Sequence, residues 1–257
     1  MKKLISENLE QKLTPYKPTE EITGLHCDKC DNDYTLFKFT SGYEYRDGCE
    51  CSLIEQAKQE DRARKQKYID SIFNQSNTNK ALKNATVKNY QPQEETQKQA
   101  KATAIEFVKT FDKDNGKSLI MQGTYGTGKS HLAYAIAKAI KAQGYTVAFM
   151  HIPMLMERIK ATYNKGAKET TDQLVKELSS LDLLILDDVG VENTEHTLNK
   201  LFSIVDNRVG KNNIYTTNFS DKELNQNQNW QRINSRMKQN ARKVKVLGPD
   251  YREVDSW

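Results

Sequence analysis

The chain has 257 residues, 37% of them hydrophobic and 28% charged, with a net charge of +5. That length suits one domain of about 150–200 residues plus something smaller, and no apolar run approaches the roughly 20 residues that a membrane-spanning helix needs. The N-terminus, Met1-Lys2-Lys3-Leu4-Ile5-Ser6-Glu7, turns acidic too soon for a signal peptide, so the expected location is the cytoplasm and the four cysteines are expected as thiols or metal ligands.

Taken in chain order, residues 1–24 read as a short helix from Ile5 to Leu13 followed by a proline-containing stretch. Residues 25–51 carry all four cysteines; between the two cysteine pairs, Tyr34 to Phe39 and Tyr43 to Tyr45 are strand-like and separated by Ser41-Gly42, a β-hairpin pattern. Residues 52–73 read as a charged helix. The following stretch is rich in Asn, Thr, Gln and Lys and contains Pro92, which marks a connector. Beyond it a helix is expected from Gln97 to Phe111, then a buried strand, Ser118 to Gln122, a glycine-rich loop, and a helix with Leu132, Ile136 and Ile140 on one face. Thr146 to His151 is a second strand of this run, Met154 to Tyr163 and Thr171 to Leu178 are helical, and Leu183 to Asp187 is a third strand. A helix through Leu198, Leu201 and Val205 follows, then strands at Ile214 to Thr217 and Val244 to Leu247. Strands alternating with helices predict an α/β fold, a central parallel sheet flanked by helices on both faces. The expected organisation is 1–75, a small cysteine-bearing domain; 76–92, a linker; and 93–257, the α/β domain.

The charge is uneven. Residues 1–84 hold 14 Lys/Arg and 14 Asp/Glu, whereas residues 85–257 hold 25 and 20, the whole excess. A mild surplus of this kind permits nucleic-acid binding and equally fits an ordinary solvated surface.

Gly123-Thr124-Tyr125-Gly126-Thr127-Gly128-Lys129-Ser130 fits G-x-x-x-x-G-K-[ST], with a strand before it and a helix after. The glycines let backbone N–H groups close around phosphate oxygens, and the helix N-terminus adds positive potential. Lys129 is expected to reach the β and γ phosphates of ATP, and Ser130 to hold Mg²⁺. Leu183 to Asp188 is an apolar strand ending in two carboxylates, delivered at the edge where open α/β sheets bind ligands. Asp187 fits the Mg²⁺ ligand, and Asp188 the group that orients or activates the attacking water. Asn218, at the polar end of the next strand, fits either a contact to that water or γ-phosphate, or an ordinary strand-end cap. Arg232 and Arg236 lie four apart on one helix face, in a stretch from 232 to 245 with six basic residues and no acid. An arginine that reaches a neighbour's γ-phosphate stabilises transition-state charge; a solvated basic helix has the same sequence pattern.

Cys27-x-x-Cys30 and Cys49-x-Cys51 form two close pairs across the hairpin, a spacing suited to a tetrahedral Zn²⁺ site, with His26 as a less well spaced substitute. About 50 residues with few large aliphatics bury little core unaided, and structural zinc contributes on the order of 10–16 kcal/mol of apparent binding energy to such modules.

These pieces, in this order, resemble the DnaC/DnaI/IstB branch of the AAA+ ATPases. The matching segments are Gly126 to Ala133, Asp182 to Gly190, Thr216-Thr217-Asn218, Arg232 to Met237 and Asp250-Tyr251-Arg252, over roughly residues 85–252. The resemblance implies Asn218 as sensor 1, Arg236 as an arginine finger acting in trans, Arg232 beside the same intersubunit site, Arg252 as a sensor 2 arginine, and His131 among the nucleotide-binding residues. It implies a helical insertion, Met154 to Leu178, facing single-stranded DNA, with Tyr163 stacking on bases and Lys160 and Lys165 meeting phosphates; a core aromatic is the competing reading of Tyr163. It implies an N-terminal zinc module that binds a hexameric replicative helicase, and chains that assemble through ATP-bridged interfaces. The function implied is ATP-dependent loading of that helicase onto single-stranded DNA at the start of DNA replication, with an IstB-like transposition helper as the alternative. Two departures stand out. Asp188 occupies a position where many AAA+ proteins have Glu, which predicts slow hydrolysis, and the chain has no room for a full helical lid after its last strand.

Overall fold

The computed structural model describes residues 17–73, 80–167, 169–191, 194–225 and 227–254; the helix expected from Ile5 to Leu13 lies outside them. The chain divides into two compact units, Met1–Arg64 and Lys65–Trp257.

In the first unit, β1 (Pro18–Cys27), β2 (Asn32–Phe39) and β3 (Glu44–Asp47) form an antiparallel sheet in that order. The expected hairpin is β2–β3, with Phe37 opposite Tyr45. The first strand was not anticipated: Pro-Thr-Glu-Glu-Ile-Thr-Gly-Leu-His-Cys has no alternating apolar pattern, and it is mostly exposed. Its pairing with β2, Ile22 opposite Leu36 and Cys27 opposite Asn32, is what makes it a strand. Helix α1 (Cys51–Phe73) follows. Cys27 and Cys49 are the only buried residues among those described in this unit.

The second unit is the expected α/β fold. Strands β4 (Ser118–Gln122), β5 (Val147–His151), β6 (Leu183–Asp187), β7 (Asn212–Thr217) and β8 (Ala241–Lys245) lie in the order β5-β6-β7-β4-β8, and every pairing is parallel. Side chains alternate across the pleat. Ala148, Met150, Leu184, Leu186 and Tyr215 join one apolar cluster, with α5 (Ile152–Ala161), α6 (Thr171–Ser179), α7 (Glu195–Asp206) and α9 (Gln228–Met237). Leu119, Met121, Leu183, Ile185 and Ile214 join another, with α3 (Glu95–Lys109) and α4 (Lys129–Ala142). Both faces of the sheet are therefore covered, which is why the interior strand β6 reads as an unbroken apolar run.

Three boundaries differ from expectation for local reasons. The last strand starts at Ala241, not Val244, because β8 pairs only with β4 and buries Val244 alone in its span; an edge strand tolerates the charged Arg242, Lys243 and Lys245 that hide it. Helix α5 ends at Ala161, so Tyr163 sits in the turn beyond it. In the stretch 76–92 read as a linker, the described residues carry a short helix, α2 (Lys80–Lys83), and bury Ala85 and Tyr90. Short helices α8 (Asp221–Leu224) and α10 (Tyr251–Val254) complete the unit. Arg208, one of the basic residues counted in the surplus, is fully buried and donates to Leu178 O, Leu181 O and Asn212 O at 3.0, 2.9 and 2.6 Å, a structural clamp rather than a surface charge.

Candidate nucleotide site and cysteine centre

The glycine-rich loop connects β4 to α4. Its last residue, Gly128, is the helix N-cap with φ +88°, and Gly126 has φ +69°, a region that side-chain-bearing residues enter at a cost of about 1–2 kcal/mol. Space forbids a side chain as well. A Cβ on Gly128 would lie 2.4 Å from the Tyr90 ring, and one on Gly126 would overlap the Asp250 carboxylate at 1.6 Å. Two tyrosines outside the expected motif brace the loop: the Tyr90 hydroxyl donates to Thr127 O at 2.9 Å, and the Tyr251 backbone N–H donates to Gly126 O at 3.2 Å. His131, in the first turn of α4, meets Thr86 O and Asn89 Oδ1 at 3.0 and 2.9 Å and lies against Tyr90.

A cavity of about 820 Å³ opens over this loop. Its lining brings together Tyr125, Gly126, Gly128, Lys129, Ser130, His131, Asp187, Asp188, Asn218 and Arg252, so ten of the expected nucleotide-site residues share one space. Gly123, Thr124 and Thr127 do not line it; a Cβ on Gly123 would lie 1.9 Å from Val246 O, and the Thr127 hydroxyl donates to Thr124 O at 3.0 Å. Lys129 is 5% exposed and donates to Thr124 O. Burial lowers its pKa to about 8, opposed by Asp188 and Asp187.

The acid pair is built by the strand next door. Thr216 on β7 donates through its hydroxyl to Asp187 Oδ1 at 2.6 Å and accepts the Asp188 N–H at 3.0 Å. Thr217 donates to Val189 O at 2.7 Å. This lets the chain turn sharply at Asp188, whose φ is +59°. Asp187 is 3% exposed; burial, then the Asp188 charge, raises its pKa to about 6, and hydrogen bonds from Thr216 and Ser130 pull the other way. The two residues expected to hold Mg²⁺, Ser130 and Asp187, thus meet each other, and a buried carboxylate held above its usual range is a fitting ligand for a divalent cation. Asp188 faces two partners: Asn218 Nδ2 at 3.5 Å and His151 Nε2 at 2.9 Å. His151 arrives there because β5 pairs with β6 in register, His151 opposite Asp187. The pair lowers the pKa of Asp188 and raises that of His151, in each case chiefly through their hydrogen bond. Sequence reasoning missed His151, Thr216, Tyr90 and Tyr251; of these, Thr216 and Tyr251 carried a signal, as members of motifs whose other residues were singled out.

Arg232 and Arg236 do not line the cavity of their own chain. Arg232 lies over the Phe202 ring, 4.2 Å from its centroid, and Arg236 Nε meets Asp206 Oδ1 at 2.6 Å. Nor is the stretch 232–245 a bare basic surface. Lys238 and Lys243 both pair with Asp221, at 3.3 and 2.9 Å, and Arg242 pairs with Glu106 at 2.7 Å. Tyr163 is 51% exposed, which excludes the core reading, and Lys160 and Lys165 are exposed beside it in the sequence.

In the first unit, the Sγ atoms of Cys27, Cys30, Cys49 and Cys51 all lie within 4.8 Å of one another, and the Cys30 thiol donates to Cys49 Sγ at 3.6 Å. Four thiolates at about 2.3 Å from a tetrahedral zinc would be about 3.8 Å apart, so the set fits that ion. The Cys30 and Asp31 N–H groups both donate to Cys27 O, forming the tight turn that presents the first pair, and Cys51 opens α1. Hydrogen bonding from Cys49, then from the Lys29 and Cys30 N–H groups, lowers the pKa of Cys27 to about 6. Hydrogen bonding with Cys30, then burial, raises that of Cys51 to about 12. Hydrogen bonding and burial thus make Cys27 the readiest of these thiols to ionise and Cys51 reluctant, a difference that a bound dication, which favours thiolate, would override. His26 is turned away, to Asp33 at 2.9 Å and Asp31 at 3.3 Å.

Comparisons with known proteins agree with this geometry. The replicative helicase loader DnaC of Escherichia coli (strain K12) is 36% identical over 152 residues, 58% of this chain and 59% of that protein; the chain therefore matches little more than half the length of such a relative. The crystal structure of a DnaC helicase loader superposes with a TM-score of 0.58 at 27% identity, covering 65% of this chain and 99% of that one. A DnaI structure shares the fold, with a TM-score of 0.56 at 20% identity over 66% of this chain and 92% of that one. Among the described residues no helix is long and apolar enough to cross a membrane. The profile of the IstB-like ATP binding proteins matches residues 44–255, and the chain belongs to that family.

Proposed function

We propose that this chain is an ATPase that loads a hexameric replicative helicase onto single-stranded DNA. The observation that carries the reading is the convergence of Lys129, Ser130, Asp187, Asp188, Asn218 and Arg252 on one cavity, in a chain with 36% identity to a helicase loader over 152 residues. In this reading the loop N–H groups from Gly123 to Gly128 and the Lys129 ammonium bind the phosphates of ATP, and Ser130 and Asp187 hold Mg²⁺. The ion supplies charge neutralisation across the phosphates. Asp188 orients the attacking water and Asn218 steadies it. The His151 contact lowers the basicity of Asp188, which adds to its short reach in slowing hydrolysis. Arg252 faces the phosphates from the same chain. Arg236, with Arg232 beside it, serves the cavity of a second copy, so that ATP bridges chains into an arc or spiral. Residues 154–178 then form a track in which Tyr163 stacks on bases and Lys160 and Lys165 meet phosphates. Residues 1–75 form the zinc module that engages the helicase, joined by 76–92 to the ATPase domain, 93–257, and the protein works in the cytoplasm.

The test is fluorescence anisotropy of the full chain with labelled oligothymidine. Affinity should be higher with a non-hydrolysable ATP analogue than with ADP and should fall as salt rises. Tyr163→Ala should weaken it by about 1–3 kcal/mol. The family profile bears the IstB name, which favours a second reading, a transposition helper acting on duplex DNA. Equal affinity in both nucleotide states, or a preference for duplex, would support that reading instead.

A further inference from the structure

We infer that Asp206 is the positioning residue for Arg236, holding its guanidinium by Nε so that the two terminal nitrogens stay available for a phosphate on a second copy. The inference rests on the finger role given to Arg236 above and goes beyond it by naming the group that makes the finger rigid.

The geometry begins with two packed helices. Leu198, Leu201, Ile204 and Val205 of α7 share one apolar cluster with Trp230, Ile233 and Met237 of α9. Their outer edges carry matched residues one turn apart: Phe202 and Asp206 on α7, Arg232 and Arg236 on α9. Arg232 lies 4.2 Å from the centroid of the Phe202 ring, and Arg236 Nε lies 2.6 Å from Asp206 Oδ1. Two contacts in one register fix both the spacing and the rotation of the arginine-bearing face.

The atom used matters. A carboxylate that simply neutralised an arginine would take the terminal fork in a bidentate pair. Here Asp206 binds Nε, the nitrogen nearest the side-chain stem. Among the described residues neither terminal nitrogen of Arg236 donates a hydrogen bond. A bond at Nε limits rotation of the planar group and leaves the fork available for phosphate. Both side chains are about two-fifths exposed, so the pair adds little to folding. Local helix electrostatics would not select Asp206 either: it is the last residue of α7, a turn that holds no basic residue, where the helix dipole disfavours an anion. Arg236, in the last turn of α9, offsets that cost.

Steady-state ATPase of the full chain, with thermal unfolding of each variant, tests the assignment. Asp206→Asn should lower kcat about tenfold or more, as loss of orientation at a reacting centre does, with KM for ATP within about twofold. Asp206→Glu should recover part of kcat. In the Arg236→Ala background, Asp206→Asn should cause no further loss. The decisive readout is rescue in trans. Adding a Lys129→Ala chain, which has no working loop but keeps Asp206 and Arg236, should restore turnover to the Asp206→Asn chain. A purely structural defect in the Asp206→Asn chain would not be repaired by a neighbour. If Arg236→Ala loses turnover while Asp206→Asn keeps or raises it, the positioning role is overturned and the finger stands. If Arg236→Ala keeps full turnover, both fall.

Discussion

Removing one oxygen from Tyr90 should weaken the nucleotide site from outside the expected motif. Tyr90 is 3% exposed, its hydroxyl donates to Thr127 O at 2.9 Å, and its ring covers the α-carbon of Gly128. Tyr90→Phe keeps the ring and removes the donor. Thr127 is fully buried, and the Tyr90 hydroxyl is the one hydrogen-bond partner of its carbonyl among the described residues. Leaving a buried carbonyl unpaired costs about 1–3 kcal/mol, which for a unit of this size is a fall in Tm of about 2–12 °C. Because the carbonyl belongs to the loop that would bind phosphates, the peptide it sits in should also relax, and nucleotide affinity should drop with stability. Tyr90→Ala removes the ring as well and should cost about 3–5 kcal/mol. Differential scanning fluorimetry with and without an ATP analogue measures both effects. A Tyr90→Phe protein with Tm within about 1 °C of the parent and unchanged nucleotide affinity would refute the reasoning, since it would show that the carbonyl finds water or needs no partner.

Purified protein never exposed to chelator should hold about one zinc per chain by elemental analysis. Cys49→Ser should lose it and unfold the first unit, where Cys27 and Cys49 are the only buried residues described, while nucleotide binding by the second unit survives; metal below about a tenth of an equivalent in the parent would count against the site. In its proposed role Lys129 would bind phosphate as the ammonium, and burial lowers its pKa to about 8. Affinity for a fluorescent ATP analogue should therefore fall several-fold from pH 7 to pH 9, as that proton is lost, and a flat profile would show that the lysine stays charged in the nucleotide-free protein.

Much of this protein was legible in the chain itself, because the signals were local. An apolar run such as Leu183 to Asp187 reads as a buried strand wherever it sits, and Gly126 and Gly128 mark backbone geometry that only glycine adopts freely. The P-loop pattern is a run of consecutive residues, and the spacing of the four cysteines pointed to the cluster in which their Sγ atoms meet. What the sequence did not expose depends on pairing between distant segments. Pro18 to Cys27 is a strand because β2 accepts it, and Ala241 to Lys245 is one because β4 has an open edge. His151 becomes part of the site only when β5 and β6 align, which sets it beside Asp188. Tyr90, in a stretch rich in polar residues, becomes a brace only when that stretch packs on the loop. The same holds for charge. Six basic residues from 232 to 245 suggest a binding surface, but folding brings Asp206, Asp221 and Glu106 to four of them. A sequence counts charges along the chain, whereas neutralisation depends on distances of a few ångströms between residues dozens of positions apart, and only the tertiary structure sets those.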